Sequence, residues 1–561
     1  MLLAGAAAAA DGPALPAAPI GIAPPSLTEQ EAIAAVLATP KVSAWLARYP
    51  PDPITAAELD EKTRTWTVRV WSGKAGQVAG GTVEDATRRV TRTLAGPQVA
   101  WGMARGNPGQ FGGSVLLRWP VWLALSAVFL VGLADLRKPL SLRNLDLLVL
   151  LSFGVSLAFF NHGRVIQSAG LAAPPLAYLA VRCAWVGVRG RGLRPVKPVL
   201  PIWVLVAAVV FLVGFRIALN VSGPTPVTDV GYAGVIGADR LLDGHAPYGR
   251  MPVEGDLSAC GQDDSDGPIR DRIQANGRCE SSNANGDTYG PLTYAAYVPF
   301  VGIFGWSGRW DTLWAAHAAT IAFDLLVLLG LVVCGLRLGG VRAGVTLAFG
   351  WAAFPFTAYA LNANTNDALM PAILVWGFLL ASRPAARGAA VAAAGFAKFA
   401  AFIAAPLWLA HRRRSTMRFV LGFAGVTVAS LSVLLLEPDV LEAARTMWDS
   451  TIAYQVGRDS PFSPWDWGQY HAAGVPDLHL VQIGLQALLL VFAGAVAVIP
   501  RRRGPLELAA LTAALLAGFQ LVLTHWFYLY LPWVLPFVLL MLYGVRPTAP
   551  AGAPGRAGPA G

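Results

Sequence analysis

The sequence predicts an all-α polytopic membrane protein with a small α+β domain at its N-terminus. Three observations carry that expectation. Of 561 residues, 55% are hydrophobic and only 14% are charged, whereas about a quarter of a soluble domain is charged. The basic excess, 43 Lys plus Arg over 33 Asp plus Glu, sits in short runs beside apolar stretches: Arg189 to Lys197, Arg412 to Arg414, Arg501 to Arg503. Loops held on the cytoplasmic side show that pattern, so the charge argues against a nucleic-acid partner. Finally, from 117 onward the chain holds about eleven apolar stretches close to the roughly 20 residues that cross a bilayer.

Residues 1–26 read as a leader. MLLAGAAAAA followed by Asp11 has the apolar core and small residues of a secretory signal, although no basic residue precedes it; a disordered Ala/Pro leader is the alternative. The next segment, 27–113, is the predicted α+β domain. EAIAAVLATPKVSAWLARY is amphipathic, and in RTWTVRVW the residues Trp66, Val68 and Val70 alternate with polar ones as on a half-buried strand. GQVAGGTVEDATRRVTRTL then reads as strand, turn and strand.

Spans are expected near 117–134, 144–160, 169–187, 198–218, 311–335, 343–361, 368–382, 417–436, 481–499, 505–523 and 526–544. The first three form an accessory block (114–197), and 198–546 is the core; 547–561 is expected to be a disordered cytoplasmic tail. Basic loops alternate with the spans so that the N-terminal domain lies outside and the C-terminus inside. The segment 389–410 breaks the alternation, because basic residues flank both its ends. A membrane hairpin turning near Lys398 resolves the conflict, its turn being tolerated only within protein or a wet cavity. Two long polar segments then face outside, 221–291 and 438–479. Lysine is scarce beside Arg, Ala, Gly and Pro, which points to a GC-rich bacterial source; the multi-pass chain is then expected in the bacterial plasma membrane.

Cys260 and Cys279 share the first outer segment and are expected to form a disulfide, the compartment being oxidising. Four further stretches stand out: TPVTDVGYAGVIGADRLLDGHAPYG with GDTYGPLTYAAYVPF, NANTNDAL at 362–369, PFSPWDW at 461–467, and HWFYLYLPW at 525–533. Together with the Lys398 hairpin, their order and membrane side resemble glycosyltransferases of the GT-C superfamily, specifically bacterial enzymes using polyprenol-phosphate mannose or arabinofuranose. The resemblance covers roughly 200–544. The VEDATRRV segment and its helix-then-strand order resemble a PepSY-type domain.

The GT-C resemblance implies a GT-C-like bundle that transfers a sugar from a polyprenyl-phosphate donor lipid to a cell-envelope glycan or glycolipid on the outer face, with Asp229 as general base. Inverting transfer needs a carboxylate for the acceptor proton and cations or hydrogen-bond donors for the departing phosphate. Asp229 opens the outer loop where a lipid-linked sugar would sit; helix capping is its plainer role. Lys398, costly in an apolar stretch, and His525 are the candidates for the phosphate. Asp243, His245, Tyr289, Asn366, Asp367, Trp465, Asp466, Trp526 and Tyr528 are candidates for sugar or acceptor. Tyr530 and Trp533 read as an interfacial aromatic belt. Asp324 reads as a structural partner of a cation such as Lys398 or Arg309. Metal dependence is open, and a divalent cation (Mg or Mn) is one of two readings. A lipid or sugar flippase, or an envelope scaffold, are the competing functions.

Overall fold

The computed structural model describes all residues except 1–23, 62, 106–114, 191–199, 223–226, 250, 252–285, 307–312, 412–415, 500–503 and 545–561. The chain divides into two units, Met1–Gly96 and Pro97–Gly561.

In the first unit two helices pack on a four-stranded antiparallel meander of order β1-β2-β3-β4. Helix α1 (Glu29–Leu37) opens with a capping box, in which Thr28 Oγ1 accepts from the Glu31 amide and the Glu31 carboxylate accepts from the Thr28 amide; this satisfies two amides that a helix start leaves unbonded. Helix α2 (Pro40–Leu46) follows, then β1 (Ile54–Asp60), β2 (Thr65–Trp71), β3 (Gln77–Glu84) and β4 (Arg89–Ala95). The expected alternation holds on β2: Trp66, Val68 and Val70 are buried with Ala32, Val36, Val42, Ala79 and Val83. The unit ends at Gly96, short of the expected 113, and α3 (Pro97–Arg105) belongs to the second unit. Strand β1, whose ITAAELD pattern has little apolar contrast, was not foreseen.

The aspartate of VEDATRRV anchors this unit. Asp85 is 1% exposed. Its carboxylate accepts from the amides of Ser26 and Leu27, from Trp66 Nε1 and from Arg64 Nη2, at 2.7 to 3.1 Å. The Ser26 amide leads the interactions that hold its pKa down at about 2. A depressed carboxylate contributes stability that is complete above its unfolded value near 4 and is lost as pH falls toward 2. Hydrogen exchange of the full-length protein, corrected for intrinsic rate, should therefore show β2 and β3 losing protection over that interval. In D85N the loss should already be present at pH 7; unchanged protection would remove Asp85 as the anchor.

The second unit is a helical membrane bundle. Its helices are α4 (Trp119–Leu133), α5 (Leu142–Asn161), α6 (Val165–Arg189), α7 (Ile202–Val221), α8 (Asp229–Leu242), α9 (Pro291–Phe304), α10 (Trp314–Ala353), α11 (Pro355–Asn362), α12 (Leu369–Leu379), α13 (Pro384–Ala397), α14 (Ala405–Ala410), α15 (Thr416–Leu431), α16 (Val440–Trp448), α17 (Tyr454–Gly457), α18 (His479–Val498), α19 (Pro505–Leu521) and α20 (Leu535–Tyr543). Among the described residues, six helical segments are long and apolar enough to cross a membrane: α5, α6, α7, α10, α15 with its 3-10 extension to Leu436, and α18. Five further apolar helices, Trp119–Leu133, Pro291–Phe304, Leu369–Leu379, Phe399–Ala410 and Pro505–Leu521, are shorter, so among the described residues six helices reach full length where eleven full spans are expected. The expected spans 311–335 and 343–361 fall on the two arms of α10, whose backbone leaves helical geometry between them at Gly340 (φ 77°). There Gly335 and Gly344 cross so tightly that a Cβ on Gly335 would stand 2.3 Å from the Gly344 nitrogen. The last expected span is instead a 3-10 turn, Tyr528–Trp533, and the short α20.

The hairpin at 389–410 is present in altered form. Helix α13 stops at Lys398, whose backbone is extended (φ −139°, ψ 119°), and the chain returns through a 3-10 segment, Phe399–Ala404, and α14. A Cβ on Gly377 would touch both Ala390 and Trp408, so the two arms lie side by side.

One buried ion pair ties α7 to α10. Arg216 Nη2 lies 2.6 Å from Asp324 Oδ1. Asp324 also accepts from Trp351 Nε1, and Arg216 Nη1 donates to the carbonyls of Trp351 and Ala352. The expected partners, Lys398 and Arg309, are corrected by this: Arg216 is on the neighbouring helix, whereas Lys398 is held elsewhere.

Candidate functional site

The site is assembled around the loop 363–368. Asn364 there adopts a left-handed conformation (φ 51°), which asparagine tolerates better than most residues. Asn220 of α7 donates to the Leu361 carbonyl and to Asn364 Oδ1 at 2.7 and 2.8 Å, while its own Oδ1 lies 2.9 Å from His317 Nδ1 of α10. Thr320 donates to the Thr365 carbonyl, and the Thr228 amide donates to the Ala363 carbonyl. Glycine at 231 lets α8 begin directly on this loop, since a Cβ there would stand 2.2 Å from the Asn364 carbonyl oxygen. The NANTND segment is thereby fixed from three helices.

A charged centre lies at the end of that loop. Lys398 Nζ is 2.6 Å from Asp367 Oδ1, and Trp533 Nε1 donates to the same oxygen at 2.9 Å. Both partners of the pair are buried, Lys398 at 7% exposure and Asp367 at 1%. Three rings surround the ammonium, with centroids at 5.2 Å (Tyr289), 5.6 Å (Tyr530) and 5.1 Å (Trp533). Cation–π attraction at these distances compensates part of the lost hydration. Tyr530 and Trp533 stack on each other at 4.3 Å, so they belong to this box and not to the belt the sequence suggested.

The turn carrying Lys398 is clamped by the TYGPLT segment. Thr293 Oγ1 donates to the Ala397 carbonyl at 2.6 Å, and Gly290 lies so close to Phe396 that a Cβ would meet its carbonyl oxygen at 2.0 Å. A second clasp fixes Tyr289: Tyr248 of the PYG segment donates to its carbonyl, and Asp287 accepts from the Gly249 amide at 2.7 Å. Segments far apart in sequence are in this way joined at one place.

Asp229 is the first residue of α8, half-buried, with Oδ1 accepting from the Val230 amide at 2.9 Å. Thr228, not Asp229, occupies the N-cap. Burial pushes the Asp229 carboxyl above the ordinary range; the positive charge of Arg458, the Val230 amide and Lys398 oppose that shift, and Asp367 reinforces it. His525 lies in the loop after α19. Its Nδ1 is 2.9 Å from Ser460 Oγ, and burial together with Arg458 lowers its pKa well below the usual value, leaving a neutral imidazole.

Of the expected site residues, Asp229, Tyr289, Asp367 and Lys398 are thus joined through contacts and mutual charge, with His525 linked to them through Arg458. Asn366 adjoins Asp367; its side chain is fully buried, and among the described residues neither amide atom has a hydrogen-bond partner. Others fall elsewhere. Asp243 and His245 are exposed at the far end of α8, roughly 20 Å from Asp229 at 1.5 Å per residue; there His245 faces Glu437 at 3.6 Å. Trp465 and Trp526 are buried and spend their indole N–H groups on the Leu521 carbonyl and Gln520. Tyr528 bridges Ser156 and Ser168 at 2.6 and 2.8 Å, joining α5 to α6. Asp466 accepts from the Ser460 amide and Gln469. These four shape the loop and the core. Cys260 and Cys279 lie outside the described residues. The sequence reading missed Asn220, His317 and Arg458.

Among the described residues no group of three or more His, Cys, Asp or Glu side chains is placed to hold a metal ion. Compared with known proteins, the chain matches no family, no curated protein and no solved structure.

Proposed function

We propose that this multi-pass membrane protein is a glycosyltransferase that moves a sugar, mannose or arabinofuranose, from a polyprenyl-phosphate donor to a cell-envelope glycan or glycolipid on the outer face of a bacterial plasma membrane. The N-terminal unit, taken as PepSY-like, lies on that same side in this reading, and the C-terminus is cytoplasmic. One observation carries it: a half-buried carboxylate of raised pKa, a buried lysine in a ring box and a neutral histidine are gathered from separate segments that end apolar helices.

The chemistry assigns each a role. The acceptor hydroxyl oxygen attacks the anomeric carbon while Asp229 takes its proton; the bond from that carbon to the phosphate oxygen breaks, its electron pair staying on the phosphate. Asp229 needs to be ionised yet basic, which its environment provides. Lys398 and His525 face the departing phosphate. The rings of Tyr289 and Tyr530 offer stacking surface, and the unpaired amide of Asn366 offers both a donor and an acceptor to sugar hydroxyls.

The test is transfer of labelled sugar from synthetic polyprenyl-phosphate donors by the purified full-length protein. Turnover is expected from wild type, and K398A should lose at least about tenfold in donor affinity, the worth of one charge-assisted hydrogen bond. Donor binding without transfer across a broad acceptor panel would favour the flippase instead, and binding and turnover undiminished in K398A would remove Lys398 from the site.

A further inference from the structure

Resting on that reading, we propose that Arg458 makes the first contact with the donor's phosphate, and that Lys398 joins it by exchanging Asp367 for that phosphate. In the resting arrangement Lys398 is not free. Its ammonium is bound to Asp367 at 2.6 Å and enclosed by three rings, so an incoming anion finds its charge already matched. His525 brings no charge, being neutral.

Arg458 is the uncommitted cation. It is half-buried, and among the described residues it makes no hydrogen bond or ion pair; the Tyr454 ring lies 5.7 Å from its Cζ. The strap that bears it is held in place two residues on. Ser460 is buried, its amide donates to Asp466 Oδ2 at 2.7 Å, and its hydroxyl lies 2.9 Å from His525 Nδ1. Arg458 is thereby kept on the His525 side of the centre. Its charge is the largest one opposing the burial of Asp229, and it also acts on His525, as expected of a guanidinium close to both.

The physical chemistry favours this division. A guanidinium is planar, always charged, weakly hydrated, and able to grip two phosphate oxygens at once. An arginine without a close ion pair breaks no salt bridge when an anion arrives, whereas Lys398 must give up a buried carboxylate. Phosphate on Arg458 supplies the replacement. It also cancels the charge that holds the Asp229 pKa down, so that donor binding would make Asp229 a stronger base.

The experiment measures binding of a short-chain polyprenyl phosphate, and separately of inorganic phosphate, to detergent-solubilised full-length wild type, R458Q and R458K. R458Q should bind the lipid phosphate at least about tenfold more weakly, and R458K within about threefold of wild type; in transfer assays R458Q should raise KM for the donor more than it lowers kcat. Wild-type affinity in R458Q would overturn the role of Arg458 and leave the transferase reading standing. Binding of inorganic phosphate alone, still dependent on Arg458, would support the anion site and overturn the lipid donor. If wild type bound neither probe, both readings would fall.

Discussion

D229N is expected to lower the transfer rate by about 10²- to 10⁴-fold, the range that one general base supplies, while donor binding stays within about threefold of wild type. Asparagine keeps the shape of the side chain and can still accept from the Val230 amide, but it cannot take up the acceptor's proton. The pH profile gives a second readout. A base works only when deprotonated, so wild-type activity should rise with pH along a limb governed by the Asp229 carboxyl. Burial raises that carboxyl, which places the limb above the usual aspartate value of about 4. If D229N turned over normally, or the limb lay at or below pH 4, Asp229 would be at most a residue of the helix start.

How much of this was legible in the sequence follows from what each signal measures. Hydropathy reports the apolar length of a segment, so α5, α6, α7 and α18 stood out, as did the alternation of Trp66, Val68 and Val70 on β2. It says nothing of where a helix breaks. The helix that ends at Ala353 restarts at Pro355, and Tyr528–Trp533 winds into a 3-10 turn, both within a single apolar run; the break at Gly340 falls instead between the two expected spans, beside Arg337 and Arg342. Lys398 was legible because a charge in an apolar stretch has to be explained, and Asp229 because of its position. Trp526 and Tyr528 are less legible for the opposite reason: an amphipathic ring serves equally in a core, with its polar end hydrogen-bonded, and at a binding surface. Arg458 was hidden in a polar loop where an arginine is ordinary. Its proposed role rests on Ser460 and His525, a pairing across 65 residues of sequence that no local pattern encodes.

The second large effect concerns stability. Removing either member of the Arg216–Asp324 pair should cost about 3–5 kcal/mol, because the other charge is left buried without its partner. The two halves of the cycle should differ. An aspartate can shed its charge by taking up a proton, whereas a guanidinium cannot, so D324N should be the worse single variant and R216M the milder. In D324N the Arg216 fork keeps only the carbonyls of Trp351 and Ala352. The double variant R216M/D324N buries no charge and retains an amide oxygen for Trp351 Nε1, the donor that Asp324 accepts from in the wild type. It should regain most of the loss, to within about 1–2 kcal/mol of wild type, as replacement of a whole buried pair commonly does. Thermal unfolding in detergent, with the two single variants and the double compared, reads the coupling directly. A double variant as unstable as D324N would mean that the pair's geometry, and not its charge balance, is what holds α7 against α10. Asn220, one turn beyond Arg216 on α7, positions the Asn364 loop, so transfer activity in the double variant should follow recovered stability: the pair lies beneath the candidate site and fixes the helix on which that loop rests.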